Sequence, residues 1–135
     1  MWDEFETALA DRLGRMKPEE FLVLSLNGHP ELYVQFRADP DGLTAECAGP
    51  IEAGGPASLD GLQQSRLVQL GWGAPDKRLG FPNYRTDWPA NQRSVNGAGS
   101  GATDDVRAAA SLTTRTFRDV LGISSPAQIE TEPGT

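Results

Sequence analysis

Three short apolar runs, Phe21 to Leu26, Leu32 to Arg37 and Leu43 to Ala48, constrain this chain more than any other feature. Asn27-Gly28-His29-Pro30 separates the first from the second, and Asp39-Pro40-Asp41-Gly42 the second from the third. Both spacers consist of residues that adopt turn dihedrals at low cost, and both are short enough for hairpins. The runs therefore predict an antiparallel meander. In the second run Leu32, Val34 and Phe36 share one face, and Tyr33, Gln35 and Arg37 share the other. In the third, Leu43, Ala45 and Cys47 oppose Thr44 and Glu46 in the same way. One face of such a sheet requires a helical cover, and the other is amphipathic.

The cover is written on both sides of the meander. Trp2, Phe5, Leu9, Leu13 and Met16 recur at helical spacing, and Lys17-Pro18 ends that helix, because the residue before proline is driven out of helical dihedrals. A second helix is predicted over Leu59 to Leu70. Ser58 is its expected N-cap, Leu59, Leu62, Leu67, Val68 and Leu70 form a broad apolar stripe, and Gly71 is its terminator. Gly71 to Pro89 is aromatic and broken by Pro75, Pro82 and Pro89. Asn83 to Trp88 within it reads as a further strand. Residues 91–102 read as a flexible Gly-rich insertion. Thr103 is expected to cap a third helix, with Asp104 and Asp105 at its positive end and Val106, Ala109, Ala110, Thr113, Phe117, Val120 and Leu121 as its buried stripe. Gly122 stops it. The expected fold class is α+β in the order α-β-β-β-α-(β)-α: an antiparallel sheet of the meander plus one or two more strands, with three helices. This makes one domain over residues 1–123, and the polar tail over 124–135 is expected to fray.

With 135 residues and a net charge of −7, the chain lacks the clustered Lys and Arg that phosphate backbones and anionic membrane surfaces demand, so neither nucleic acid nor membrane is an expected partner. No stretch reaches the roughly 20 apolar residues of a membrane span. The lone Cys47 leaves no internal disulfide and suits a reducing compartment, so a cytoplasmic protein is expected.

Catalytic chemistry finds little to stand on. His29 is the only histidine, placed in a turn with no second ligand beside it, and no Gly-x-Ser-x-Gly elbow exists. Gly97 to Gly101 precedes a helix, but a phosphate-cradling loop follows a buried parallel strand, and Asp104 and Asp105 would repel an anion. The paired acids suit turns and helix ends better than a metal site. The expectation is no enzyme, no cofactor and no metal.

The aromatic side chains are the better candidates for recognition. Trp72, Phe81, Tyr84 and Trp88 lie in the Pro-rich connection, where they either plug the end of the sheet or form a partly exposed binding surface. Tyr33 and Arg37, on the open sheet face, are the side-chain types that carry binding hot spots.

The arrangement has a familiar look. A helix and a three-strand meander lead to a second helix closing on Leu67-Val68-Gln69-Leu70-Gly71-Trp72. Pro75, Pro82-Asn83-Tyr84 and Trp88 follow, then a last helix ending Phe117-Arg118-Asp119-Val120-Leu121-Gly122. Over residues 1 to about 123 this resembles the actinobacterial TY-Chap domains, relatives of YbjN and of the type III secretion chaperones. The Gly-rich insertion at Gly97 to Gly101 departs from the shorter connection of that pattern. The resemblance implies an α+β chaperone fold, a peptide- or protein-binding adaptor and no catalytic residue. Because secretion chaperones are commonly dimers, a homodimer interface or a fixed structural partner on the same surface is the rival expectation. A small phosphate-binding protein using Gly97 to Gly101 ranks last.

Overall fold

The computed structural model describes residues 1–40, 42–89 and 100–134. Among the described residues, three α-helices and five strands follow one another as α1 (Trp2–Gly14), β1 (Phe21–Leu26), β2 (His29–Asp39), β3 (Gly42–Cys47), α2 (Gly61–Leu70), β4 (Tyr84–Pro89), α3 (Ser100–Arg115) and β5 (Ile129–Gly134). The strands form one open antiparallel sheet in the order β4-β3-β2-β1-β5. The α+β class and the expected order of elements hold, with β5 added after α3.

Alternation along the meander decides which face is covered. Leu22 and Leu24 of β1, Val34 and Phe36 of β2, and Leu43, Ala45 and Cys47 of β3 are buried beneath the helices. Leu9 and Leu13 of α1, Leu67 of α2, and Ala109 and Ala110 of α3 press onto them, joined by Phe117 and Val120 just beyond α3. Tyr33, Gln35, Arg37, Thr44 and Glu46 stand on the opposite, uncovered face. The first hairpin is tighter than the spacer suggested: Leu26 pairs with His29, so the turn is Asn27-Gly28, with Gly28 at φ +80° and a register shift between Ser25 and Leu26.

Several local expectations are corrected. Asp60, not Ser58, caps α2: its carboxylate accepts from Gln63 N at 2.7 Å, and Gln63 Oε1 accepts from Asp60 N at 2.9 Å. This reciprocal pair satisfies two free donors, which a serine two residues earlier could not reach. Gly71 does end α2, at φ +122°. The α3 helix begins at Ser100, so Thr103 lies within its first turns rather than capping it. Of the Gly97 to Gly101 loop, residues 97–99 lie outside the described residues and Ser100 and Gly101 belong to α3. The flexibility expected for 91–102 falls largely on the same undescribed stretch.

After Arg115 the helix widens. Leu121 N donates to Thr116 O at 3.0 Å, a five-residue π-helical closure over Thr116–Val120. Gly122, at φ +72°, then turns the chain. The tail is ordered where fraying was expected, since Ile129–Gly134 pairs with the whole of β1 from Leu26↔Ile129 to Phe21↔Gly134. Cross-strand hydrogen bonding holds this strand, because Thr131, Glu132 and Pro133 remain exposed and bury little.

Phe117 is completely buried beneath the π-helical turn. A buried, unpaired charge costs several kcal/mol against a total stability of roughly 5–15 kcal/mol. Phe117→Asp is expected to abolish the cooperative thermal transition followed by circular dichroism, and Leu9→Asp to do the same from the α1 side.

Candidate functional site

The connection between β3 and β4 carries more large apolar side chains than the core admits. Leu59, Leu67, Trp72 and, at its end, Tyr84 go inside. Ile51, Leu62, Val68, Leu79 and Phe81 stay outside, at 42–62% exposure. Apart from Met1, these five are the large exposed apolar side chains among the described residues. The helical spacing puts Leu62 and Val68 in the buried stripe of α2, and both are exposed. Their exposure follows from its geometry: the stripe was too broad for one face, and Leu67 alone is fully buried.

Between α2, the turn at Ile51–Ala53 and the loop that follows Gly73 lies a groove of about 700 Å³. Val68, Ala53, Ala74 and Pro75 supply its apolar lining, and Gln64, Gln69, Glu52 and Lys77 its polar groups. Tyr84 also lines it, although only 2% of that side chain is exposed. Burial, followed by the neighbouring Cys47 and Glu52, pushes the Tyr84 phenol upward.

The walls are fixed from several directions. Trp72 is buried, and its indole Nε1–H donates to Thr116 Oγ1 at 3.0 Å, joining the end of α2 to the π-helical turn. Thr116 Oγ1 in turn donates to Leu112 O at 2.7 Å. Gly73 exchanges backbone hydrogen bonds with Arg85 at 2.7 and 3.1 Å, and Asp76 does so with Phe81 at 2.8 and 2.9 Å. Gly49 N donates to Asn83 Oδ1 at 2.9 Å, and a Cβ at Gly49 would collide with the Pro82 carbonyl.

The open sheet face is, by contrast, paired within itself. A crevice of about 370 Å³ there includes Phe21, Gln35, Arg37, Thr44, Glu46 and Arg85. Arg37 Nε donates to Asp39 Oδ1 at 2.9 Å, and its guanidinium lies 5.5 Å from the centre of the Phe21 ring. Glu46 accepts from Gln35 at 3.4 Å and from Asn83 at 3.3 Å, and Asn83 also donates to Tyr33 OH at 3.0 Å. Burial is the largest influence on Tyr33, and it raises the phenol. A partner docking here would have to displace bonds already made. The crevice between α1 and α3, about 620 Å³, is rimmed by Glu6, Asp11, Arg15 and Arg107, of which Asp11 and Arg15 pair at 2.7 Å.

The six residues singled out from the sequence thus separate. Trp72 and Tyr84 are core, with Tyr84 reaching the groove. Phe81 is exposed under the Arg85 guanidinium, 4.4 Å from its ring centre. Trp88 is half-buried and pairs with Leu43 at the edge of the sheet. Tyr33 and Arg37 lie on the open face, away from the groove. Val68 went unnoticed because at helical spacing it passes for a core position. His29 makes an exposed contact with Glu31 at 3.2 Å, and the described residues hold no cluster of three metal-ligating side chains.

A model of the family described as "T3SS (YopN, CesT) and YbjN peptide-binding chaperone 3", TY-Chap3, matches residues 1–134. No curated protein and no solved structure matches the chain.

The buried thiol that faces this region sets an alkaline limit. Burial pushes Cys47 up to about 12, whereas an unfolded thiol titrates near ~8.5. The folded state therefore keeps a proton that the unfolded state loses first. The contribution is complete below ~8.5 and is lost as pH rises toward about 12, at up to ~1.4 kcal/mol per pH unit. Urea unfolding at stepped pH is expected to show that loss, and Cys47→Ala to flatten it, leaving the smaller loss from Tyr33 and Tyr84, which has the same sign.

Proposed function

We propose that this chain, which belongs to the TY-Chap3 family of peptide-binding chaperones, captures a short peptide or unfolded protein segment in the groove beside α2. The observation that carries this reading is the coincidence of two features in one connection. It holds the groove, which the exposed Val68 lines, and it holds the exposed Ile51, Leu62, Leu79 and Phe81 outside the groove. Apolar surface left in water on a rigid wall is the usual mark of an interaction site.

In this mechanism an apolar side chain of the partner enters the groove against Val68, Ala74 and Pro75. Gln64 and Gln69 are placed to meet its main chain, although Gln64 already donates to Leu59 O at 3.0 Å. α2 carries one charged residue, Arg66, among ten. Such charge depletion suits the centre of a recognition patch. The affinity comes from burial and asks for few specific contacts, as a chaperone serving varied segments needs. The role contains no chemical step and no cofactor, and it belongs in the cytoplasm, where the buried thiol of Cys47 stays reduced. No described helix is long and apolar enough to cross a membrane.

The test is binding to an array of random peptides. Val68→Glu puts a charge into the groove wall at a position 48% exposed, so the fold tolerates it. Burying one such aliphatic side chain is worth about 1.5–3 kcal/mol, so captured peptides are expected to bind roughly tenfold to a hundredfold more weakly, with an unchanged melting temperature. Unchanged peptide binding by Val68→Glu would place recognition elsewhere. Loss of a dimer rather than of peptide binding, seen by sedimentation, would show that the same surface joins two copies of the chain.

A further inference from the structure

An open sheet has two edges, and each presents main-chain groups to which another strand can add. The hydrogen-bonding phase of this sheet determines which groups those are. Ala48 N donates to Tyr33 O and Asn27 N to Gln128 O, so alternate residues of each strand point to opposite neighbours. On β4 the outward residues are Arg85, Asp87 and Pro89. Arg85 is already paired with Gly73, and Pro89 has no N–H. That edge is covered at Arg85 by Gly73 and lacks a donor at Pro89, which leaves Asp87 as its one open position.

On β5, Glu130 and Glu132 pair inward with Ser25 and Val23, leaving Ile129, Thr131 and Pro133 to face outward. Ile129 N–H is committed to Pro126 O, and Pro133 has none. Thr131 alone offers a donor and an acceptor together. A second β5 strand laid antiparallel about Thr131 would set each Glu130 opposite the other copy's Glu132. Like charges directly opposite on neighbouring strands repel, and a ladder missing its flanking donors has little to offset that.

We infer that Pro133, together with Glu130 and Glu132, guards the β5 edge against strand addition, by a second copy of this chain above all. The guard is independent of the peptide groove. It confines association to side-chain contacts and keeps the exposed apolar connection from being joined by edge-to-edge aggregation of the sheet.

The experiment compares the full chain with Pro133→Val, with Glu130→Thr plus Glu132→Thr, and with the triple variant. Sedimentation over a dilution series is read beside hydrogen exchange of the Thr131 amide. Val restores a donor and the Thr pair removes the repulsion, so the triple variant is expected to self-associate at least about tenfold more tightly than the parent. Its Thr131 amide should become protected as concentration rises. In Pro133→Val alone, association should strengthen with added salt, which screens the Glu–Glu repulsion. Melting curves confirm that each variant is folded, and these positions bury too little for their replacement to unfold the chain. The inference is overturned if the folded triple variant sediments and exchanges like the parent. It is equally overturned if the parent's own Thr131 amide gains protection with concentration, since the edge would then already be in use.

Discussion

The architecture depends on how one connection divides its apolar residues. Between β3 and β4 the chain must cross the end of the sheet, form a helix and return, and the core beneath it is already filled by the meander and by α1 and α3. Two rings anchor the crossing. Trp72 reaches through the core to the hydroxyl of Thr116, and Tyr84 packs at the start of β4 opposite Cys47. A buried indole N–H without an acceptor would cost about 1–3 kcal/mol, so the contact to Thr116 is what makes Trp72 acceptable inside. With these anchors and Leu59 and Leu67 inside, Ile51, Leu62, Val68, Leu79 and Phe81 are left on the surface. The groove is the space left between elements that are each fixed by their own hydrogen bonds.

The distinction between the two faces of the molecule has the same origin. On the uncovered sheet face, successive polar side chains lie close enough across strands to satisfy one another, and Arg37, Asp39, Glu46 and Asn83 do so. On the α2 side the exposed Leu62 and Val68 are aliphatic and have no polar group to offer, and Arg66 is the one charged residue of the helix. The sheet edges complete the picture, because one is covered at Arg85 by Gly73 and the other carries a proline next to exposed acids, so extended segments gain little by pairing there.

Much of this is legible in the sequence. The meander, its inward set and the three helices follow from period-two and helical spacing, and Gly71 and Gly122 end helices at the left-handed positions expected of them. The polar tail was not legible as β5. Ile-Glu-Thr-Glu-Pro has no buried face, and hydrogen bonding to β1 holds it as a strand, which leaves no apolar signature. Asp60 was passed over for Ser58 because both are good caps, and only the reciprocal partner Gln63 separates them. Of the rings that the sequence offers for recognition, Trp72 and Tyr84 are buried, Phe81 is exposed and Trp88 is half-buried, and Tyr33 stands on the open sheet face. The sequence leaves Trp72 open between plugging the sheet and lying exposed because its acceptor, Thr116, is far along the chain, and it cannot separate Val68 from the core because a helical stripe does not say how wide a face the sheet can cover. The family to which the chain belongs implied peptide binding, and the groove supplies a physical reason for it.

The central claim is that apolar surface displaced from the core onto the β3–β4 connection is where a partner binds. Methyl and amide chemical-shift mapping on isotopically labelled protein, titrated with a peptide that it captures, tests this most directly. The account predicts perturbations concentrated at the Val68 methyls, Ala53, Ala74 and Lys77, with Gln35, Thr44 and Glu46 on the sheet face little moved. Shifts confined to the open sheet face, or running along β5, would contradict it.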